Sequence, residues 1–115
     1  MQKIRTFVGH NNLPIVADCY GDETAKTVVL FGHGGGQTRH SWKSTALELS
    51  KRDCYTISMD LRGHGDSGWA KDEDYSLEAY AKDYQAVCAT LDRRPVLVGA
   101  SLGGLSAMIA GGELN

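Results

Sequence analysis

Apolar residues recur along this chain in two rhythms. Two short β-prone runs, KIRTFVGH and IVADCYG, flank Asn11-Asn12-Leu13-Pro14 and predict a hairpin. Thr27 to Gly34 (TVVLFGHG) is a continuous apolar run ending in glycines, the pattern of a buried parallel strand. Cys54 to Asp60 (CYTISMD) predicts another strand and leads into the polar loop LRGHGDSG. Pro95 to Ala100 (PVLVGA) is the most strand-like run of all. Elsewhere the period lengthens to that of helices. Trp42 to Arg52 predicts a helix with Trp42, Ala46 and Leu49 along one face. Ser76 is placed to cap the next helix, whose apolar face carries Leu77, Tyr80, Ala81, Tyr84, Val87, Cys88 and Leu91 and which Asp92-Arg93-Arg94-Pro95 ends. Ser101 to Ala110 predicts a third helix with Leu102, Leu105, Met108 and Ile109 on one side and Gly111-Gly112 closing it. Gly63 to Asp74 reads as the most flexible stretch.

A hairpin followed by three strand–helix pairs defines an α/β chain with a mostly parallel sheet and right-handed crossovers. There is no internal repeat or linker, so residues 1–115 read as one unit, a domain or less. At 42% hydrophobic residues the chain is an ordinary globular one. Its net charge of -2 is scattered, with no basic stripe for nucleic acid and no polybasic membrane patch. No apolar run approaches the ~18 residues that span a bilayer. The start, MQKIRTF, lacks an apolar signal core, and a cytoplasmic location is expected. Cys19, Cys54 and Cys88 are far apart and odd in number, which argues against a disulfide framework or a zinc site and for reduced thiols. Asp72-Glu73-Asp74 lacks the spacing of a calcium loop and reads as solvated. No cofactor and no metal are expected.

Two motifs carry chemistry. Gly99-Ala100-Ser101-Leu102-Gly103 is G-x-S-x-G between an apolar strand and an amphipathic helix, the context of a nucleophile elbow. The turn must be very tight, and Gly99 and Gly103 remove side chains that would collide in it. Helix polarity then places Ser101 at the positive end of a helix. The competing reading is a strand-to-helix turn with a capping serine. His33-Gly34-Gly35-Gly36 directly follows an earlier strand, where a second donor to an oxyanion would lie. A glycine triplet after a buried strand is costly in chain entropy, which favours function over a plain turn.

HGGGQTRHSW, DLRGHGDSG and GASLGG, in this order, resemble the α/β-hydrolase superfamily, most closely its serine esterase, haloperoxidase and epoxide-hydrolase-like branches. The likeness covers essentially the whole chain. It implies the N-terminal part of that fold, truncated after the elbow helix. It implies Ser101 as nucleophile, the N–H groups of Gly35 and Leu102 as the oxyanion hole, and His33, Gly34 and Gly36 as support for the oxyanion loop. Asp60, Arg62, Gly63, Gly65 and Ser67 match the family's D-x-R-G-x-G-x-S loop, and no catalysis is assigned to Asp60 or His64. Relatives that form an alkyl-enzyme have aspartate at the elbow, so Ser101 implies acyl transfer and an ester or related acyl substrate.

The family order is serine, acid, histidine. After Ser101 there is no histidine and one acid, Glu113, while His10, His33, His40 and His64 all precede the serine. The catalytic acid and histidine are therefore not expected in this chain, and weak or no activity is. The last strand would be an open apolar edge prone to association. Two rivals stand beside this reading. Gly63-His64-Gly65-Asp66-Ser67-Gly68 fits a dinucleotide G-x-G-x-x-G with Asp83 as its acid, but Lys71-Asp72-Glu73-Asp74 intervenes before any helix. A non-catalytic module would share the fold and keep Ser101 unused. Trp42 and Trp69 read as packing residues near a pocket mouth, and Tyr75, Tyr80 and Tyr84 as helix-face residues.

Overall fold

The computed structural model describes residues 2–114, with side chains as far as Gly112, so the side chain of Glu113 lies outside the described residues. Strands β1 (Gln2–Val8) and β2 (Pro14–Tyr20) form the antiparallel hairpin. Asn11 and Asn12 turn it at φ of 57° and 61°, a region that asparagine tolerates better than most residues. The rest alternates: β3 (Thr27–Gly32), α1 (Lys43–Ser50), β4 (Cys54–Met59), α2 (Leu77–Ala89), β5 (Val96–Gly99) and α3 (Leu102–Leu114). The sheet order is β1-β2-β4-β3-β5. β3 is parallel to both β4 and β5, and β2 joins β4 antiparallel.

Side chains alternate across β3 and divide the core in two. Val28 and Leu30 face α2 and α3, together with Ile15, Ile57, Tyr84, Val87 and Ala110. Val29 and Phe31 face α1, together with Tyr20 and Ala46. Helices thus cover both faces, and β3 and β4 are buried almost throughout, which is why their sequences are continuous apolar runs.

The elements differ from the sequence reading in several places, and Tyr75, expected on a helix face, lies ahead of α2 and is 40% exposed. Trp42 precedes α1 in a 3-10 turn, Arg39–Trp42, capped by the Thr38 hydroxyl. It still packs as expected, its indole N–H donating to the Gly32 carbonyl at 3.0 Å and its ring 5.3 Å from that of Phe31. Helix α2 stops at Ala89, ahead of Asp92, because Thr90 closes the last turn through its N–H and hydroxyl onto the Val87 carbonyl. Helix α3 does not end at Gly111-Gly112 but runs through both. Its buried face is Gly103, Ser106, Ala107 and Ala110, while Leu105 and Met108 are 51% and 75% exposed. The helix lies too close to β3 for large residues: a Cβ on Gly103 would stand 2.4 Å from the Gly32 carbonyl oxygen. Trp69 is 74% exposed and is not a packing residue.

The loop after β4 is tied down, against its flexible look. Gly68 N–H donates to the Pro14 carbonyl at 2.8 Å, and the Ser67 hydroxyl donates to the Asp60 carbonyl at 2.6 Å while accepting from Val16 N–H at 2.8 Å. Two buried arginines complete the frame. Arg62 donates through Nε and Nη2 to both oxygens of Asp83 (2.7 and 2.9 Å), and to the Asp74 carbonyl at 2.8 Å. Arg39 meets Asp18, Asp60 and Asp66 at 3.1, 2.5 and 2.8 Å.

Candidate active site

The three parallel strands end in register, Gly32 beside both Met59 and Gly99. Their C-terminal loops therefore converge on one edge of the sheet, and each loop carries one of the motifs. Ser101 stands between β5 and α3 at φ 53° and is exposed. Its carbonyl accepts from Leu105 N–H at 2.9 Å, which begins the helix immediately after it. A Cβ on Gly99 would lie 2.5 Å from the backbone of Gly103 and Gly104. The G-x-S-x-G spacing is thus required by contact: with any other residue at 99 or 103 the strand, the turn and the helix could not approach this closely.

The His33–Gly36 loop lies against the elbow. Ala100 N–H donates to the Gly32 carbonyl at 3.3 Å and Gly103 N–H to the His33 carbonyl at 3.1 Å. Tyr84, fully buried on α2, donates its hydroxyl to the Gly103 carbonyl at 2.9 Å, and burial pushes its pKa above the usual phenol range. A Cβ added to Gly35 would meet nothing within 4 Å, so this residue faces open space. Gly34 N–H donates to Gln37 Oε1 and Gly36 N–H to His64 Nε2, each at 3.0 Å. The N–H groups of Gly35 and of Leu102, the first residue of α3, have no hydrogen-bond partner among the described residues.

Neither histidine at this edge has a ring nitrogen to spare. His33 is wholly buried, and its Nε2 accepts from Leu61 N–H at 2.9 Å. The proton must then sit on Nδ1, which donates to the Gly34 carbonyl at 2.7 Å. Burial, reinforced by the nearby His64 and partly offset by the bond to Gly34, holds its pKa below the ordinary imidazole value. His64 is arranged alike: Nε2 accepts from Gly36 and Nδ1 donates to the Arg62 carbonyl at 2.9 Å. Of the remaining histidines, His40 lies 3.7 Å from Asp18 and His10 belongs to the hairpin turn. Among the described residues no group of three or more His, Cys, Asp or Glu is placed to hold a metal ion.

The Gly63–Gly68 stretch is not a dinucleotide loop, since no helix opens on it and α2 starts only at Leu77. Asp83, its would-be acid, is taken by Arg62. Sequence reasoning missed Arg39, whose backbone N–H and guanidinium both bind the wholly buried Asp60. It also missed the use of the Tyr84 hydroxyl. A charged residue in a polar loop carries no sign of burial, and a tyrosine on a helix face carries no sign of where its oxygen goes.

Helices on both faces of the sheet, and a serine elbow beside a glycine loop at its carboxyl edge, define a protein of the α/β-hydrolase class. The sequence profile of the Alpha/beta hydrolase family matches residues 28–113, and the chain belongs to that family. It is 38% identical over 86 residues to the protein phosphatase methylesterase 1 of Mus musculus, covering 70% of this chain and 22% of that protein. It is 37% identical over 81 residues to an esterase of Mycobacterium tuberculosis, covering 70% of this chain and 26% of that one. Its fold is similar to that of an epoxide hydrolase from Vigna radiata, with a TM-score of 0.86, 26% identity and coverage of 95% of this chain and 35% of that one. A thioesterase domain from the curacin biosynthetic pathway is similar too, at TM-score 0.85 and 26% identity, covering 95% of this chain and 38% of that one. The chain thus spans about a quarter of the length of the curated relatives it matches and about a third of the structural ones.

Proposed function

We propose that this chain carries the nucleophile and the oxyanion donors of a serine hydrolase acting on carboxylic esters. In this reading the Ser101 hydroxyl attacks the acyl carbon, its oxygen bonding to that carbon while its proton passes to a base. The carbonyl oxygen becomes an oxyanion held by Gly35 N–H and Leu102 N–H. Collapse expels the alcohol, and water then hydrolyses the acyl-enzyme. His33 and the flanking Gly34 and Gly36 hold the donor loop against the elbow. The observation that carries the reading is the exposed Ser101 at φ 53° in an elbow bonded to the glycine loop, with the Gly35 and Leu102 N–H groups unpartnered among the described residues. The methylesterase and esterase relatives favour simple esters, methyl esters included, as substrates.

The base is the open part. His33 and His64 have both ring nitrogens engaged, and no histidine follows Ser101. The proposed reaction therefore takes its base and orienting acid from polypeptide other than these residues, and the 115-residue chain alone is an incomplete, weak catalyst. This same observation favours the second reading, a non-catalytic module of the family. A fluorophosphonate probe read by mass spectrometry separates the two. Slow labelling located on Ser101 and lost in Ser101→Ala supports the hydrolase reading, with p-nitrophenyl acetate turned over far below ordinary esterase rates. A folded chain that the probe labels elsewhere and not on Ser101 overturns it in favour of the module.

A further inference from the structure

The sequence offers three consecutive glycine N–H groups, those of Gly34, Gly35 and Gly36, any of which could face a substrate oxygen. The structure uses two of them internally. Gln37 Oε1 takes the N–H of Gly34 and His64 Nε2 takes that of Gly36, each at 3.0 Å. We propose that Gln37 and His64 are positioning residues that select the Gly35 amide as the loop's donor by occupying the N–H groups on either side of it. The inference rests on the serine hydrolase reading for what the selected amide does, though not for the selection itself.

The two acceptors reach the loop from different places. Gln37 folds back from the loop's own end, where its N–H also donates to the Gly34 carbonyl at 3.1 Å. His64 comes from the loop after β4 and is oriented before it arrives. Its Nδ1–H donates to the Arg62 carbonyl at 2.9 Å, its ring lies 4.8 Å from that of His33, and the Arg62 guanidinium is clamped by Asp83. An unbroken line therefore runs from Asp83 on α2 through Arg62 and His64 to Gly36. The chemistry demanded at position 64 is narrow: a donor towards its own strand's loop and an acceptor towards the glycines. Neutral imidazole and a carboxamide supply both, while lysine or arginine supplies only donors. With the outer two amides satisfied, the loop cannot turn either of them towards a substrate without losing a hydrogen bond. The Gly35 amide is left without a hydrogen-bond partner among the described residues.

The test compares the wild type with His64→Ala, His64→Gln and Gln37→Ala in the full chain. The readouts are amide hydrogen exchange at Gly34, Gly35 and Gly36 and the rate of fluorophosphonate labelling at Ser101, with far-UV circular dichroism as a check on folding. Losing one hydrogen bond in His64→Ala should speed exchange at Gly36 and slow labelling, each by about tenfold, and Gln37→Ala should do the same with Gly34 as the exposed amide. His64→Gln keeps an acceptor and should restore both readouts. A merely structural histidine would not be rescued in this way. Wild-type exchange and labelling in a folded His64→Ala would overturn the proposal. So would a His64→Gln that behaves as His64→Ala, since ring packing on His33 would then be what matters. If His64→Ala does not fold, scalar coupling across the N–H···N bond between Gly36 and His64 in the wild type decides, and its absence overturns the proposal. If the wild type is not labelled at all, exchange alone judges the selection of Gly35.

Discussion

Ser101 occupies a backbone region that costs a residue with a Cβ about 1–2 kcal/mol, and the chain sustains it because strand, turn and helix are fixed on either side. Glycine carries no such penalty, so Ser101→Gly should stabilise the fold by about 1 kcal/mol in urea denaturation while abolishing labelling by the probe. A neutral or destabilising outcome would mean that the turn stores no strain. His33 makes a second residue-scale prediction, through pH. Its folded pKa lies below the unfolded value because burial disfavours the charged ring and Nε2 is committed as an acceptor to Leu61. The unfolded chain therefore binds the proton more readily. The stability due to this group is fully present above the unfolded pKa of about 6.5 and is lost as pH falls from there through the folded pKa. Melting temperature should drop between pH 7.5 and 5. The slope should flatten in His33→Gln, which cannot titrate, and an equal slope in the two proteins would refute the assignment.

At the scale of elements, the apolar rhythm was enough to place the five strands and the three α-helices, and β3 and β4 were the plainest because they are covered on both faces and must be continuously apolar. It misjudged α3 for a physical reason. The pattern reads large apolar residues as the buried side, but the elbow draws this helix so close to β3 that only Gly103, Ser106, Ala107 and Ala110 fit beneath it. The site was legible where chemistry depends on the backbone: the glycines of the elbow and of the loop after β3 stand where the motif spacing puts them. It was not legible where a side chain crosses between loops. Nothing about Arg62 or Asp83 alone says that both are buried, yet their pairing joins the loop after β4 to α2 and, through His10 N–H donating to Asp83 at 2.8 Å, to the hairpin turn. Arg62→Met leaves Asp83 charged and buried with most of its partners gone, and should cost about 3–5 kcal/mol in denaturant unfolding. Adding Asp83→Leu to it removes the uncompensated charge and should recover a substantial part of that loss. Additive costs in the double variant would mean the two residues act separately.

At the scale of the molecule, the two sides of the sheet are unlike. One ends in the hairpin strand β1, and the other in β5, which among the described residues pairs only with β3. β5 is half-buried where β3 and β4 are buried, with Val96 at 53% exposure. Beside it, α3 turns Leu105 and Met108 to solvent. Unpaired strand N–H and C=O groups next to exposed apolar side chains are a template for further strand addition. We propose that this edge drives self-association of the isolated chain, each copy adding β5 to another. Sedimentation velocity should show a mass that rises with protein concentration. Val96→Lys should shift it back towards monomer, because a charge placed on an exposed edge position opposes pairing at little cost to the fold. Met108→Lys, on α3 and off the strand, separates the two contributions: a full return to monomer there would assign the association to the helix face, and a weak effect would assign it to the strand. A wild-type chain that remains monomeric at every concentration would show that the β5 edge is protected by something other than a partner strand.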